Sequence, residues 1–164
     1  MRQDLRIIVT GGTLDKIHDT CTEALAFDPS GKSHLADMLA SGRCHFPSIK
    51  HLFLKDSLDF TDEDRAAIET AISNATEGAI IVTHGTGTMH ETARFLGAQG
   101  IAKTIVLTGA LRPYSFAGSD APFNLGGAII AAQTLPNGVW AIMNGRIFSA
   151  DHIEKDLPSG RFDL

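Results

Sequence analysis

Little in this chain points to an oxidising, membranous or nucleic-acid setting. Its 164 residues include two cysteines, Cys21 and Cys44, and these form no CxxC pair. A chain this long can bury a sizeable core without a disulfide staple, so both read as free thiols in a reducing compartment. No apolar run is long enough for a signal-peptide core or a membrane span, and the stretch from Leu5 to Val9 is broken by Arg6. A cytoplasmic location without membrane contact is therefore expected. Basic side chains form no run that would track phosphates and the formal net charge is −5, so no nucleic-acid partner is expected. The histidines lack metal-ligand spacing: His45 and His51, like His84 and His90, stand too far apart along the chain, and there is no HExxH. No metal and no organic cofactor are expected.

What is present is an ordinary globular composition, 43% hydrophobic and 20% charged. Short apolar runs alternate with segments of helical period. Leu5–Thr10, His51–Leu54, Ala79–Thr83, Thr104–Thr108 and Val139–Met143 read as strands, several of them apolar on consecutive residues, as strands covered on both faces are. Thr61 caps a helix to about Asn74, with Ala67, Ile68, Ala71 and Ile72 on one face. Thr88-Met-His-Glu91 has the pattern of a capping box opening a helix to about Ala98. Ser119 or Asp120 caps another, which turns Leu125, Ala128, Ile129 and Ala132 inward. The region from Leu14 to His34 reads as a long loop, with a short helix near Leu35 to Leu39. The order of elements predicts an α/β fold, a Rossmann-like or flavodoxin-like open parallel sheet with helices on both faces, in one domain over residues 1–164.

Three strands end alike. Ile7-Ile-Val-Thr10 leads into Gly11-Gly12-Thr13, Ile80-Ile-Val-Thr83 into His84-Gly85-Thr86, and Ile105-Val-Leu-Thr108 into Gly109. Glycine at a strand exit permits close approach of backbone, and ligands of open parallel sheets bind beyond the carboxyl ends. Hydroxyls and free N–H groups are thus expected to converge on one crevice. Thr-Gly is also ordinary turn chemistry. A phosphate-cradling use of Gly11-Gly12 is a rival, but no GxGxxG and no GxxxxGK[ST] follows. Lys103, directly before the fourth strand, reads on position alone as a solvated lysine.

Taken together the motifs resemble the L-asparaginases. Thr10-Gly-Gly-Thr-Leu14 is similar to the first signature of that family and His84-Gly-Thr-Gly-Thr-Met89 to the second. Leu107-Thr-Gly-Ala-Leu-Arg-Pro113, Ser119-Asp-Ala-Pro-Phe-Asn-Leu125 and Asp56-Ser-Leu-Asp-Phe-Thr-Asp-Glu-Asp64 resemble further family stretches, in order and spacing. The resemblance is closest to short members consisting of the N-terminal domain alone. It implies hydrolysis of the side-chain amide of L-asparagine, or of a related small amide, through a threonine nucleophile. Thr13 matches that nucleophile, and Thr86 and Lys103 match the second threonine and its lysine partner, a proton-handling pair. Gly12, Gly85 and the N–H of Thr86 would stabilise the oxyanion. Asp56 and Ser57 match the segment holding the substrate's α-carboxylate.

Two positions depart from the family pattern. Gly87 stands where the family has an aspartate that binds the substrate's α-ammonium. Either another acid such as Asp15 replaces it, or the substrate lacks a free α-amine, or the chain is a non-catalytic amide-binding protein of the same fold. His18 stands roughly where the lid carries a tyrosine; it is either a base that replaces that tyrosine or an ordinary loop residue. The only tyrosine, Tyr114, is far away in sequence. Exposed edges of such a domain make a homodimer or homotetramer plausible.

Overall fold

The computed structural model describes residues 4–162. Strands β1 (Leu5–Gly11), β4 (Ser48–Lys55), β5 (Ala79–Thr83), β6 (Thr104–Thr108), β7 (Gly138–Met143) and β8 (Arg146–Ser149) form one sheet in the order β4-β1-β5-β6-β7-β8. All pairs are parallel except β7 with β8. The five parallel strands, taken in chain order, lie as 2-1-3-4-5, the flavodoxin-like arrangement. Helix α1 (Leu35–Ser41) follows the first strand; α2 (Asp62–Ser73), α3 (Met89–Gly97) and α4 (Ala121–Thr134) follow the next three.

Alternation along the strands sorts the core into two layers. Leu5, Ile7, Val9, Ile81 and Val106 pack with α1 and α4, while Ile8, Ile80, Val82, Ile105 and Leu107 pack with α2 and α3. Because α4 lies on the face opposite α3, although both connections step the same way across the sheet, the β6–α4–β7 crossover has the opposite hand to the other three. The loop from Gly109 to Asp120 therefore crosses toward the β1 exit, where Tyr114 N–H donates to Leu14 O (3.2 Å) and Ser115 Oγ to Lys16 O (2.9 Å).

Local chemistry explains most element ends. Thr61 forms a true capping box with Asp64 at the start of α2. The box expected at Thr88 does not form. Thr88 Oγ1 instead donates to Ser57 O (2.7 Å), and Glu91 pairs with Arg65 (2.5 Å), so tertiary partners claim both side chains. Asp120 likewise makes no side-chain cap on α4. Its carboxylate takes the N–H groups of Leu111 and Arg112 and closes the crossover loop, while Ser119 Oγ accepts from Ala121 N–H.

Two features go beyond the sequence expectation. Asn144 (φ 51°) and Gly145 (φ 77°) make a two-residue turn that adds β8, the hairpin signal Asn-Gly carries. Part of the presumed long loop is a small hairpin, β2 (Lys16–His18) with β3 (Leu25–Phe27), whose tip is fixed by Asp19 accepting from Cys21 N–H (2.8 Å). At the amino edge of the sheet Glu77 binds Arg6 (3.0 Å) and Ser48 Oγ (2.6 Å) and ties β1 and β4 to the β5 entry. Burial alone would raise the Glu77 carboxyl, but these donors hold it at about 2.

Candidate active site

The carboxyl ends of β1, β4 and β5 meet beside the point where the strand order reverses. Glycines interlock them. Gly12 has φ 83°, and a Cβ there would lie 2.5 Å from Gly85 N. The β1 exit is thus pressed backbone-to-backbone on the β5 exit. A Cβ on Gly85 would collide with the Ser57 side chain, so the β4 exit presses on the same loop. Gly12→Ala should cost about 2–4 kcal/mol, from positive φ plus an immovable backbone clash; a melting temperature unchanged in that variant would refute this packing.

The strand-final threonines behave differently from expectation. Thr10, Thr83 and Thr108 are fully buried and serve the sheet: Thr10 Oγ1 donates to Thr83 O (2.6 Å), and Thr108 Oγ1 donates to Ile142 O (2.9 Å). The hydroxyls left for chemistry belong to the turns beyond. Thr13 opens a short 3-10 turn, Thr13–Asp15, and is half-buried. Its hydroxyl and its N–H make no hydrogen bond among the described residues. Thr86 is 8% exposed, and its Oγ1 accepts from Lys155 Nζ (3.3 Å). A hydroxyl that accepts there keeps its own proton to direct elsewhere.

Lys155 is the lysine of this site, and sequence reasoning missed it. The structure does not put Lys103 near Thr86. Lys103 stands at the entry of β6, the opposite end of the sheet, and its ammonium donates to Ala75 O just past α2, where a cation suits the helix terminus. Lys155 arrives from an irregular segment after β8. Ile153 and Phe162, each 1% exposed, anchor that segment in the α2/α3 layer, and Asp156 pairs with Arg161 across it. No local pattern marks Lys155; the two buried apolar residues around it were the available signal.

Gly12 N–H donates to Lys55 O (3.1 Å), so it is not free to meet an oxyanion. Thr86 N–H makes no hydrogen bond among the described residues. Asp56 caps the turn Ser57–Asp59 through Leu58 N–H (3.0 Å) and pairs with Lys16 of the hairpin. Burial pushes the Asp56 carboxyl up, but Lys16 and Leu58 N–H outweigh it and hold it low. Ser57 is buried, and its Oγ accepts from Thr88 N–H (3.3 Å). His18 is exposed at the hairpin, and its ring makes no hydrogen bond among the described residues. Asp15 is fully buried just before β2, where Oδ1 accepts from Ser33 Oγ (2.8 Å) and His34 N–H (2.7 Å); it secures the start of α1 and is not exposed to the crevice. Desolvation raises its carboxyl above the usual range. Tyr114, distant in sequence, sits by Leu14 through its backbone, but its ring faces His34 (5.6 Å) and lines an apolar cleft of about 570 Å³ between α1 and α4. None of Thr13, Thr86 or Lys155 lines that cleft.

His84 shapes the β5 exit from within. It is fully buried, its Nδ1 lies 2.7 Å from Gly85 O and its Nε2 2.8 Å from Thr92 Oγ1. A neutral ring donating from Nδ1 and accepting at Nε2 satisfies both. Desolvation lowers it from 6.5 to about 4. Between those values the unfolded chain binds a proton that the folded chain refuses, so stability falls as pH drops through this window, by roughly 3 kcal/mol in all. Denaturant unfolding at pH 7, 5.5 and 4 should show the slope, and His84→Gln should flatten it. An equal slope in both proteins would exclude His84 as its source.

The family profile described as asparaginase, N-terminal, matches residues 4–161. The chain belongs to the asparaginase family. It is 41% identical over 80 residues to a probable L-asparaginase 4 of Schizosaccharomyces pombe (46% of this chain, 22% of that one). With a glutaminase-asparaginase of Acinetobacter glutaminasificans it shares 32% identity over 109 residues (62% of this chain, 33% of that one). A probable cytoplasmic L-asparaginase from Campylobacter jejuni superposes with a TM-score of 0.82 at 28% identity, over 99% of this chain and 52% of that one. The chain thus spans about half of that solved asparaginase, and a third or less of these two curated relatives. The α/β sheet expected from the sequence is the asparaginase N-terminal fold. No group of three or more metal-ligating side chains and no helix able to cross a membrane occurs among the described residues.

Proposed function

We propose that this chain is an amidohydrolase that releases ammonia from the side-chain amide of L-asparagine or a related small amide, with Thr13 as nucleophile. Two observations carry this: the Thr86–Lys155 hydrogen bond lies on the loop against which Gly12 is pressed, and Thr13, the residue after Gly12, has a hydroxyl with no hydrogen bond among the described residues. Thr13 Oγ bonds to the amide carbon, its proton passes through the Thr86–Lys155 pair to the leaving nitrogen, and the C–N bond breaks to free ammonia. Water then cleaves the threonyl ester, giving the acid and restoring the hydroxyl. The unengaged N–H groups of Thr13 and Thr86 are the donors suited to the oxyanion. Hairpin β2–β3, held by the Lys16–Asp56 pair, supports a cover over the site, with His18 on its rim.

A homodimer or homotetramer belongs to the same reading, supported by exposed Phe123 and Ile130 on α4 and Ile147 on β8; sedimentation of the purified chain tests it. A cytoplasmic setting is supported by the free thiols Cys21 and Cys44. The deciding test of function is an ammonia-release assay on the purified protein with small ω-amides. No release from any of them, by protein whose fold is verified, would overturn the proposal.

A further inference from the structure

A nucleophile has to be held in place, yet neither the hydroxyl nor the N–H of Thr13 makes a hydrogen bond among the described residues. Its position is set by the residues on either side. Upstream, Gly12 N–H donates to Lys55 O (3.1 Å) and the Gly12 backbone is pressed on Gly85. Downstream, Asp15 N–H donates back to Gly12 O (3.1 Å) and closes the short turn across Thr13. Leu14, between them, is fully buried in the α1/α4 layer, and its carbonyl takes the Tyr114 N–H (3.2 Å). The one polar side chain that ties this turn to another part of the fold is that of Asp15.

The two oxygens of Asp15 are used unequally. Oδ1 accepts from Ser33 Oγ (2.8 Å) and His34 N–H (2.7 Å), whereas Oδ2 is buried with no partner among the described residues. Ser33 Oγ gives its proton to Asp15 and accepts from the N–H of Leu35 (3.1 Å), the first residue of α1. Asp15 and Ser33 stand 18 positions apart, and hairpin β2–β3 lies between them. Oδ1 therefore closes the neck of the segment that carries the hairpin. Asp15 makes no ion pair among the described residues, and burial pushes its carboxyl up. What it supplies is an acceptor in a fixed place rather than a charge.

Resting on the amidohydrolase reading, we propose that Asp15 is the positioning residue for Thr13: one oxygen pins the nucleophile's turn to the start of α1 and closes the neck of the β2–β3 segment. Asp15 is not exposed to the crevice, so it acts through the turn and never on the amide. A turn released at this point would let the Thr13 hydroxyl wander, and a displacement of about 1 Å is enough to cost on the order of 10²-fold in rate.

The test compares Asp15→Asn, Asp15→Ala and Ser33→Ala with the natural chain. The readouts are kcat and KM for ammonia release from L-asparagine and succinamate, each taken well below the variant's melting temperature, and deuterium exchange of the amides from Leu14 to His34. Asparagine keeps an acceptor for Ser33 Oγ and His34 N–H and places its NH2 where Oδ2 had no partner, so Asp15→Asn should hold kcat within about threefold. Asp15→Ala should lower kcat by about 30-fold or more with KM nearly unchanged, and should speed exchange across the segment. Ser33→Ala should lower kcat by roughly three- to tenfold, and combining it with Asp15→Ala should add nothing. An Asp15→Asn variant as slow as Asp15→Ala would overturn the inference, because charge rather than the acceptor would then be at work. So would an Asp15→Ala variant with natural kcat, or one altered in KM alone. Should Asp15→Ala fail to fold, a Ser33→Ala variant with natural kcat would overturn it instead. Those outcomes leave the amidohydrolase reading standing, whereas a natural chain silent with every small ω-amide would overturn both.

Discussion

Thr13→Ala is expected to lose ammonia release by a factor on the order of 10⁴ or more while folding as the natural chain does. Nucleophile removal in hydrolases that act through a covalent intermediate has effects of that order, because the remaining groups only bind and polarise. The structural cost is small for a definite reason. The Thr13 side chain is half-buried and makes no hydrogen bond among the described residues, so no buried partner is orphaned. A melting temperature within a few degrees of the natural chain would accompany the loss. Substantial turnover by Thr13→Ala would dismiss Thr13 as nucleophile, and Thr86 would be the next hydroxyl to test.

The second large effect separates two lysines. Lys155→Met should lower kcat/KM by roughly 10²–10³, the range of a lost proton-transfer partner. Lys103→Met should leave turnover alone and cost about 1–2 kcal/mol, because its ammonium serves only the carbonyl of Ala75 at the end of α2. Combining Lys155→Met with Thr86→Val should cost little more than either alone, as expected for two groups that act as one unit. Additive losses would mean that the hydrogen bond between them is incidental. Loss of turnover in Lys103→Met but not in Lys155→Met would return the role to the position that the family resemblance implied.

Which parts of the molecule could be read along the chain follows from the range of the interactions involved. The consecutive apolar runs at Ala79–Thr83 and Thr104–Thr108 are recognisable because a strand covered on both faces needs them, and both have the expected bounds. Thr61 caps α2 as expected because its partner, Asp64, is three residues away. The same logic fails at Thr88 and Asp120, whose side chains find stronger partners from β4's exit and from the crossover loop. Hairpin strand β8 lay outside the expectation although its turn, Asn144-Gly145, is local chemistry; hairpin β2–β3 leaves no signal, since its three-residue strands are too short to show a period.

The asparaginase resemblance, the parallel sheet, and the glycines and threonines at the strand exits can be read along the chain, since each is encoded in contiguous residues. Tertiary structure alone decided which threonines remain free, because the strand-final hydroxyls of Thr10 and Thr108 are consumed by neighbouring strands. It also decided that Lys155, 69 residues from Thr86 in the chain, is its partner. These contacts join the ends of different strands. Their geometry is set by packing of the two helix layers on the sheet, and no spacing within a segment carries it.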